Sequence, residues 1–347
     1  MKKLIIVELA LLAVLLVAAI VACGRLSKPV FAPEETKDSI NTTGETTGET
    51  TGANKEETTQ GNDVTVFVPG NETTAFVPSW KTYPEDRKLL AKQYFVYDCK
   101  ADTFLINSGK TNDRIYPASI TKLFTAHVAM QYLQADTKIT AGSALDLVAW
   151  GSSVAKIRKG DVLTVQQLVE AMMLPSGNDA AYLLACEAGR IIKKNASLSA
   201  SSAVKAFVDQ MNTQAKALGM TGTNFVNPDG IHSSNHYTTV GDLAILGKLA
   251  LANKTVMQYA ATPKEQVVLH GETIEWKNTN ALINPETPYY CPYAVGLKTG
   301  QTPSAGSCLL SAFRMDGREL LIGVFGCPKE EDRFDDTLQL FNSIVLD

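Results

Sequence analysis

Ser119 and Lys122, in Pro117-Ala118-Ser119-Ile120-Thr121-Lys122, stand three residues apart at what reads as a helix start, so their side chains share one face. An amine so placed can take the hydroxyl proton and make the serine a nucleophile. Spacing alone selects nothing, because it recurs at Ser153–Lys156 and Ser202–Lys205. Context separates the three. Pro117 marks a helix start, where outward backbone N–H groups can support an oxyanion. The other two pairs read as a solvated loop and a solvated helix face.

Two more groups could complete such a site. Ser176-Gly177-Asn178 falls between the apolar run Leu168 to Leu174 and a helix beginning at Asp179, and a short inter-helix turn can deliver both side chains into a cleft. A helix cap explains the same residues, and the spacing recurs at Ser39–Asn41 and Ser233–Asn235. Lys298-Thr299-Gly300 occurs once, after the apolar Ala294 to Leu297. It aims a cation and a hydroxyl from a strand edge, with Gly300 leaving room for a substrate backbone. An edge strand ending in a glycine turn accounts for it equally well.

The elements that must position these groups follow from periodicity. Tyr94 to Tyr97 and Thr103 to Ile106 read as a strand pair, and a helical stretch runs from Ser119 through Leu133. Val165 to Leu174, Asp179 to Arg190, Ser202 to Leu218 and Gly241 to Leu251 have helical apolar spacing, with Thr164, Asn178 and Ser201 as caps. Strands return at Gln266 to Leu269 and Thr273 to Trp276, then at Ser307 to Phe313 and Leu320 to Phe325. Arg333 to Leu346 reads as a closing helix. Strands at both ends with helices between them predict an α+β domain whose N- and C-terminal strands share one antiparallel sheet.

The first eighty residues differ in kind. Met1-Lys2-Lys3 followed by Leu4 to Val21, apolar apart from Glu8, predicts an export signal, and Ile20-Val21-Ala22-Cys23 resembles a bacterial lipobox in which Cys23 takes the lipid. A plain cleaved signal and an uncleaved anchor are the rival readings, since about eighteen residues can span a bilayer. Residues 23–81 are rich in Thr, Gly and Glu and predict a disordered tether, with an end-to-end distance of about 40 Å. Val66 to Pro69 and Ala75 to Pro78 repeat a short string that could dock on the domain. From Glu34 to Glu72 nine acids face two lysines, a net of −7 against −4 for the whole chain, so the domain at 82–347 is near neutral. Nothing in that balance suggests a nucleic-acid partner. Besides Cys23 there are Cys99, Cys186, Cys291, Cys308 and Cys327, with no CxxC or Cys/His spacing for zinc. Their odd number predicts at least one free thiol, and Cys186 falls in an apolar run that predicts burial.

The order of the three motifs is that of penicillin-binding proteins and serine β-lactamases. From about Lys92 to Leu346 the chain resembles the low-molecular-mass serine D-alanyl-D-alanine carboxypeptidases. Longer strings carry the likeness: Leu174 to Ala181, Asn224 to Gly230 ahead of Asn235-His236-Tyr237, and Gly296 to Thr302 leading to Ala305-Gly306. The resemblance implies a serine β-lactamase/DD-peptidase fold, no cofactor and no metal, and hydrolysis of the terminal D-alanine of peptidoglycan stem peptides. Ser119 would be the nucleophile, Lys122 its base, and Ser176 and Asn178 the proton relay and peptide hold. Lys298, Thr299, Gly300, Gln301 and Arg333 would bind substrate, with the N–H groups of Ser119 and Gln301 as oxyanion hole. β-Lactams would acylate Ser119. The enzyme would sit outside the cytoplasmic membrane, held by its N-terminal lipid or helix.

The chain departs from that pattern by ending soon after the catalytic domain and by placing Gln301 where some relatives have histidine. Two rivals share the motifs: a β-lactamase, which would need an ExxLN glutamate absent between Ser176 and Lys298, and an inactive wall-binding or penicillin-sensing domain. His232 and His236 are spaced as in some zinc peptidases but sit in a loop with no glutamate between them, and read as packing histidines.

Overall fold

The computed structural model describes residues 81–84 and 87–345. The expected export segment, Cys23, the tether up to residue 80 and its two repeated strings lie outside the described residues. Lys81, expected to be the last residue of the tether, already bonds to the Asp335 carboxylate at 2.8 Å.

In chain order the elements are β1 (Gln93–Asp98), β2 (Thr103–Asn107), β3 (Arg114–Ile115), a 3₁₀ turn (Ala118–Ile120) and α1 (Thr121–Ala129). There follow β4 (Lys138–Thr140), β5 (Val162–Thr164), α2 (Val165–Met173), α3 (Asn178–Ile192), α4 (Ala200–Ala217), β6 (Thr238–Thr239), α5 (Val240–Ala252) and α6 (Lys254–Ala260). The chain closes with β7 (Lys264–Leu269), β8 (Glu272–Lys277), β9 (Ala294–Thr302), β10 (Gly306–Met315), β11 (Arg318–Cys327) and α7 (Asp332–Val345).

Five strands form one antiparallel sheet in the order β2-β1-β11-β10-β9, so the first and last strands meet at β1–β11, as the sequence predicts. Their period-two alternation feeds two cores. Phe95, Leu310, Ala312, Leu321 and Phe325 face the helical body. Val96, Leu309, Phe313, Ile322 and Val324 face the other way, onto Phe334, Leu338 and Phe341 of α7. Among the described residues, seven α-helices and this sheet thus build an α+β domain with one large core around α1–α6 and a smaller one under α7.

Three boundaries differ from expectation, each for a local reason. The stretch from Ser119 is not one helix to Leu133: it begins as a 3₁₀ turn because Ala118 is at φ +48°, and it ends at Ala129 in turn bonds from Tyr132 and Leu133 to the Ala129 carbonyl. Thr164 does cap α2, in a capping box with Gln167. Helix α4 starts two residues before the expected point, so Ser199 rather than Ser201 accepts from the Ser202 amide. Asn178 is not a cap either: Gly177 precedes α3, and the Asn178 amide donates to the Ser153 carbonyl at 2.8 Å.

Candidate active site

The left-handed Ala118 sharply turns the chain into α1, a conformation costing an alanine about 1–2 kcal/mol, and leaves Ser119 partly exposed at the helix mouth. One turn further, Lys122 is fully buried, and its Nζ donates to Ser119 Oγ at 2.8 Å. The same Nζ donates to the backbone carbonyl of Asp229 at 2.9 Å. Burial lowers the Lys122 pKa to about 8, against the opposing pull of Asp229 and Asp179. An amine in that range is neutral often enough near physiological pH to act as a base.

The Asp229 carbonyl is aimed by a stapled turn. Asn227 accepts from the Gly230 amide and donates to the Ile231 carbonyl, each at 2.8 Å, while Thr125 of α1 donates to the Pro228 carbonyl at 2.6 Å. Gly230 is at φ +87°, and a Cβ there would lie 1.8 Å from the Ala118 carbonyl oxygen, so no larger residue fits against the Ser119 turn. His236 fixes the far side: its Nε2 shares a bond with Thr121 Oγ1 at 2.9 Å and its Nδ1 accepts from the Val226 amide. Burial brings its pKa down to about 3, so the ring is neutral. His232 packs edge-on against Tyr116.

Opposite the serine runs β9, an edge strand. Lys298, also buried, donates to Thr279 Oγ1 at 3.2 Å, and Thr279 Oγ1 in turn meets Thr299 Oγ1. Burial, with repulsion from Lys122 and Arg333, pushes the Lys298 pKa well down. Arg333 reaches this edge from α7, buried, with Nε lacking a partner and its guanidinium bonded to Glu330. A Cβ on Gly300 would lie 2.7 Å from the Pro117 carbonyl and 3.2 Å from the Ser119 amide. Gly300 therefore makes room for the protein's own backbone at the nucleophile turn, where the sequence suggested room for a substrate's. It also lies mid-strand, not in a glycine turn. The exposed Gln301 follows it, in register with Ser307.

The third side is the turn between α2 and α3. Ser176 is buried at φ +62°, and the Asn178 Oδ1 is buried without a partner. Asp179 holds a neighbouring loop by accepting from the amides of Ala155 and Ile157 at 2.9 and 3.1 Å. Its charge reaches Lys122, which puts this turn beside the dyad. Ser119, Lys122, Lys298 and Arg333 thus lie within electrostatic or hydrogen-bond reach of one another, and the turn that carries Ser176 and Asn178 adjoins them through Asp179. Ser153, Lys156, Ser202 and Lys205 are exposed.

Three contributors escaped the sequence reading: the Asp229 carbonyl, the Asp179 anchor and Thr279. The first two lie inside strings already singled out, and Thr279 sits in Asn278-Thr279-Asn280, a polar triplet just ahead of the short apolar Ala281-Leu282-Ile283. No group of residues able to hold a metal ion is found among the described residues. Cys99, Cys186, Cys291, Cys308 and Cys327 are all free, and burial raises the pKa of each.

Comparison with known proteins agrees with this geometry. The D-alanyl-D-alanine carboxypeptidase family pattern matches residues 80–329. The D-alanyl-D-alanine carboxypeptidase of Streptomyces sp. strain K15 is 35% identical over 65% of this chain and 77% of its own length. DacF of Bacillus subtilis is 28% identical over 66% of this chain, which spans only 56% of DacF. The crystal structure of the Streptomyces K15 DD-transpeptidase superposes with a TM-score of 0.65 at 31% identity, covering 74% of this chain and 97% of that one. Cefotaxime-bound penicillin-binding protein D2 of Listeria monocytogenes gives 0.60 at 26% identity, covering 74% and 98%. By fold, by motif order and by these matches, the chain belongs to the serine D-alanyl-D-alanine carboxypeptidase family.

Proposed function

We propose that this chain removes the terminal D-alanine from peptidoglycan stem pentapeptides through an acyl-enzyme on Ser119. The observation that carries the reading is the 2.8 Å bond from the buried Lys122 Nζ to the partly exposed Ser119 Oγ. Neutral Lys122 takes the hydroxyl proton as Ser119 Oγ attacks the D-Ala-D-Ala carbonyl. The amides of Ser119 and Gln301 receive the oxyanion, consistent with the close pass of Gly300 by the Ser119 amide. Ser176 relays a proton to the departing D-alanine, and Asn178 offers its free buried carbonyl to the peptide. Lys298, Thr299 and Arg333 draw the terminal carboxylate toward β9. Water then cleaves the ester, and Lys122 returns the proton to Ser119.

Release of D-alanine from diacetyl-Lys-D-Ala-D-Ala, abolished by Ser119→Ala, tests this; a wild-type protein that releases none ends it. Likeness to the Streptomyces K15 DD-transpeptidase supports a second reading, transfer of the acyl group to an amine instead of water. Product analysis with glycine as added acceptor divides the two. The β-lactamase alternative requires rapid turnover of a labelled penicillin, where the carboxypeptidase reading requires an adduct lasting many minutes.

We also place the domain outside the cytoplasmic membrane, exported and held through a lipid on Cys23, with residues 23–81 as the tether. The lipobox-like Ile20-Val21-Ala22-Cys23 supports this. Metabolic labelling with palmitate, lost in Cys23→Ser, tests it; unlabelled wild type contradicts it.

A further inference from the structure

Apart from the catalytic groups, α2 carries a largely buried residue, Glu170, whose carboxylate opens into a neighbouring cavity and receives no hydrogen bond from the described residues. Glu170 is only 8% exposed, and among the described residues no amide or side chain donates a hydrogen bond to it. It lines a cavity of about 420 Å³ between α2, α6 and the β7–β8 hairpin. The walls include the apolar side chains of Leu163, Val267 and Trp276, and a second acid, Glu265, lines the cavity from the exposed face of β7. Gln167 lines the same cavity with its carbonyl end taken by the Thr164 amide at 2.9 Å, and its amide nitrogen makes no bond to Glu170. Burial and the charge of Glu265 both disfavour ionised Glu170.

An apolar ligand here would displace the water that reaches Glu170 and leave it unpaired, and an anion would meet two acids. A compact cation on an aliphatic stem supplies what is missing: hydrogen bonds to the carboxylate and hydrocarbon for the walls. We propose that this cavity binds a primary ammonium carried on a short aliphatic stem, with Glu170 as its counter-ion and Glu265 as a second one. This site is independent of the Ser119 chemistry. Its ligand is a free diamine or the side chain of a lysine-like residue in a peptide.

Calorimetric titration of the full chain with 1,5-diaminopentane and with Nα-acetyl-lysine methylamide tests the proposal, with 1-pentanol as the uncharged control. At least one amine is expected to saturate at millimolar concentration. Glu170→Gln is expected to weaken it about tenfold and Glu265→Gln severalfold, with no competition from pentanol. Tighter binding of the acetyl-lysine amide assigns the site to a peptide side chain; tighter binding of the diamine assigns it to the free cation. Absence of saturation by either amine up to about 50 mM, or equal competition by pentanol, overturns the proposal. So does unchanged affinity in a folded Glu170→Gln protein. Should that variant fail to fold by its thermal transition, unchanged affinity in Glu265→Gln overturns it instead.

Discussion

Lys122 Nζ donates to the backbone carbonyl of Asp229 at 2.9 Å, a bond that spans 107 residues. It fixes the base on the Ser119 side of its pocket without spending a side chain, because a carbonyl neither titrates nor rotates away. The Asp229 carboxyl, buried with Oδ2 unpaired, raises the Lys122 pKa when ionised, while burial pushes its own pKa up and the lysine opposes that.

The pH dependence follows from Lys122. The neutral amine is the active form and its pKa is about 8, so acylation should rise with pH through that value. The second-order rate of fluorescent-penicillin labelling measured from pH 6 to 10 checks this. A rate flat across that range would mean that Lys122 is not the base.

Asp229→Asn removes a charge that stabilises protonated Lys122 while keeping the carbonyl that binds it. The Lys122 pKa should fall, moving the rising limb of the same profile to lower pH. An unmoved limb alongside an unchanged fold would show that the Asp229 charge does not reach the base.

Two glycines give a graded steric test. A Cβ at Gly230 would lie 1.8 Å from the Ala118 carbonyl, and one at Gly300 2.7 Å from that of Pro117. Gly230 is also left-handed. Gly230→Ala should therefore lower the melting temperature more than Gly300→Ala, whose cost is about 1–3 kcal/mol, and both should slow acylation. Thermal denaturation and labelling rates, measured side by side, decide the order.

Asp179 holds two loop amides with one carboxylate. Asp179→Ala should cost about 2–3 kcal/mol by orphaning them and should open the loop around residues 153–157 to proteases. By contrast, Ser202→Ala, on an exposed helix face, should leave D-alanine release unchanged although it breaks an identical SxxK spacing.

Much of this was legible in the chain itself. The shared sheet, the helices α2 to α5 and the cap at Thr164 follow from periodicity and local chemistry, and Pro117 marks the SxxK whose lysine is buried against its serine. Periodicity does not report what crosses the fold. The Lys122–Asp229 bond and the Lys298–Thr279 contact join residues 107 and 19 positions apart, so no local pattern announces them. The same holds for Gly300, whose close neighbour is the turn at Pro117, far away in sequence. Asn178 looks like a cap in one dimension, yet its amide is taken by Ser153 and its side-chain carbonyl is buried without a partner.

Peptide mapping of the penicillin-treated protein by mass spectrometry addresses the acyl-enzyme directly. The adduct should sit on the peptide containing Ser119, persist for many minutes and vanish in Ser119→Ala. An adduct on another serine, or none on folded wild-type protein, would contradict the account.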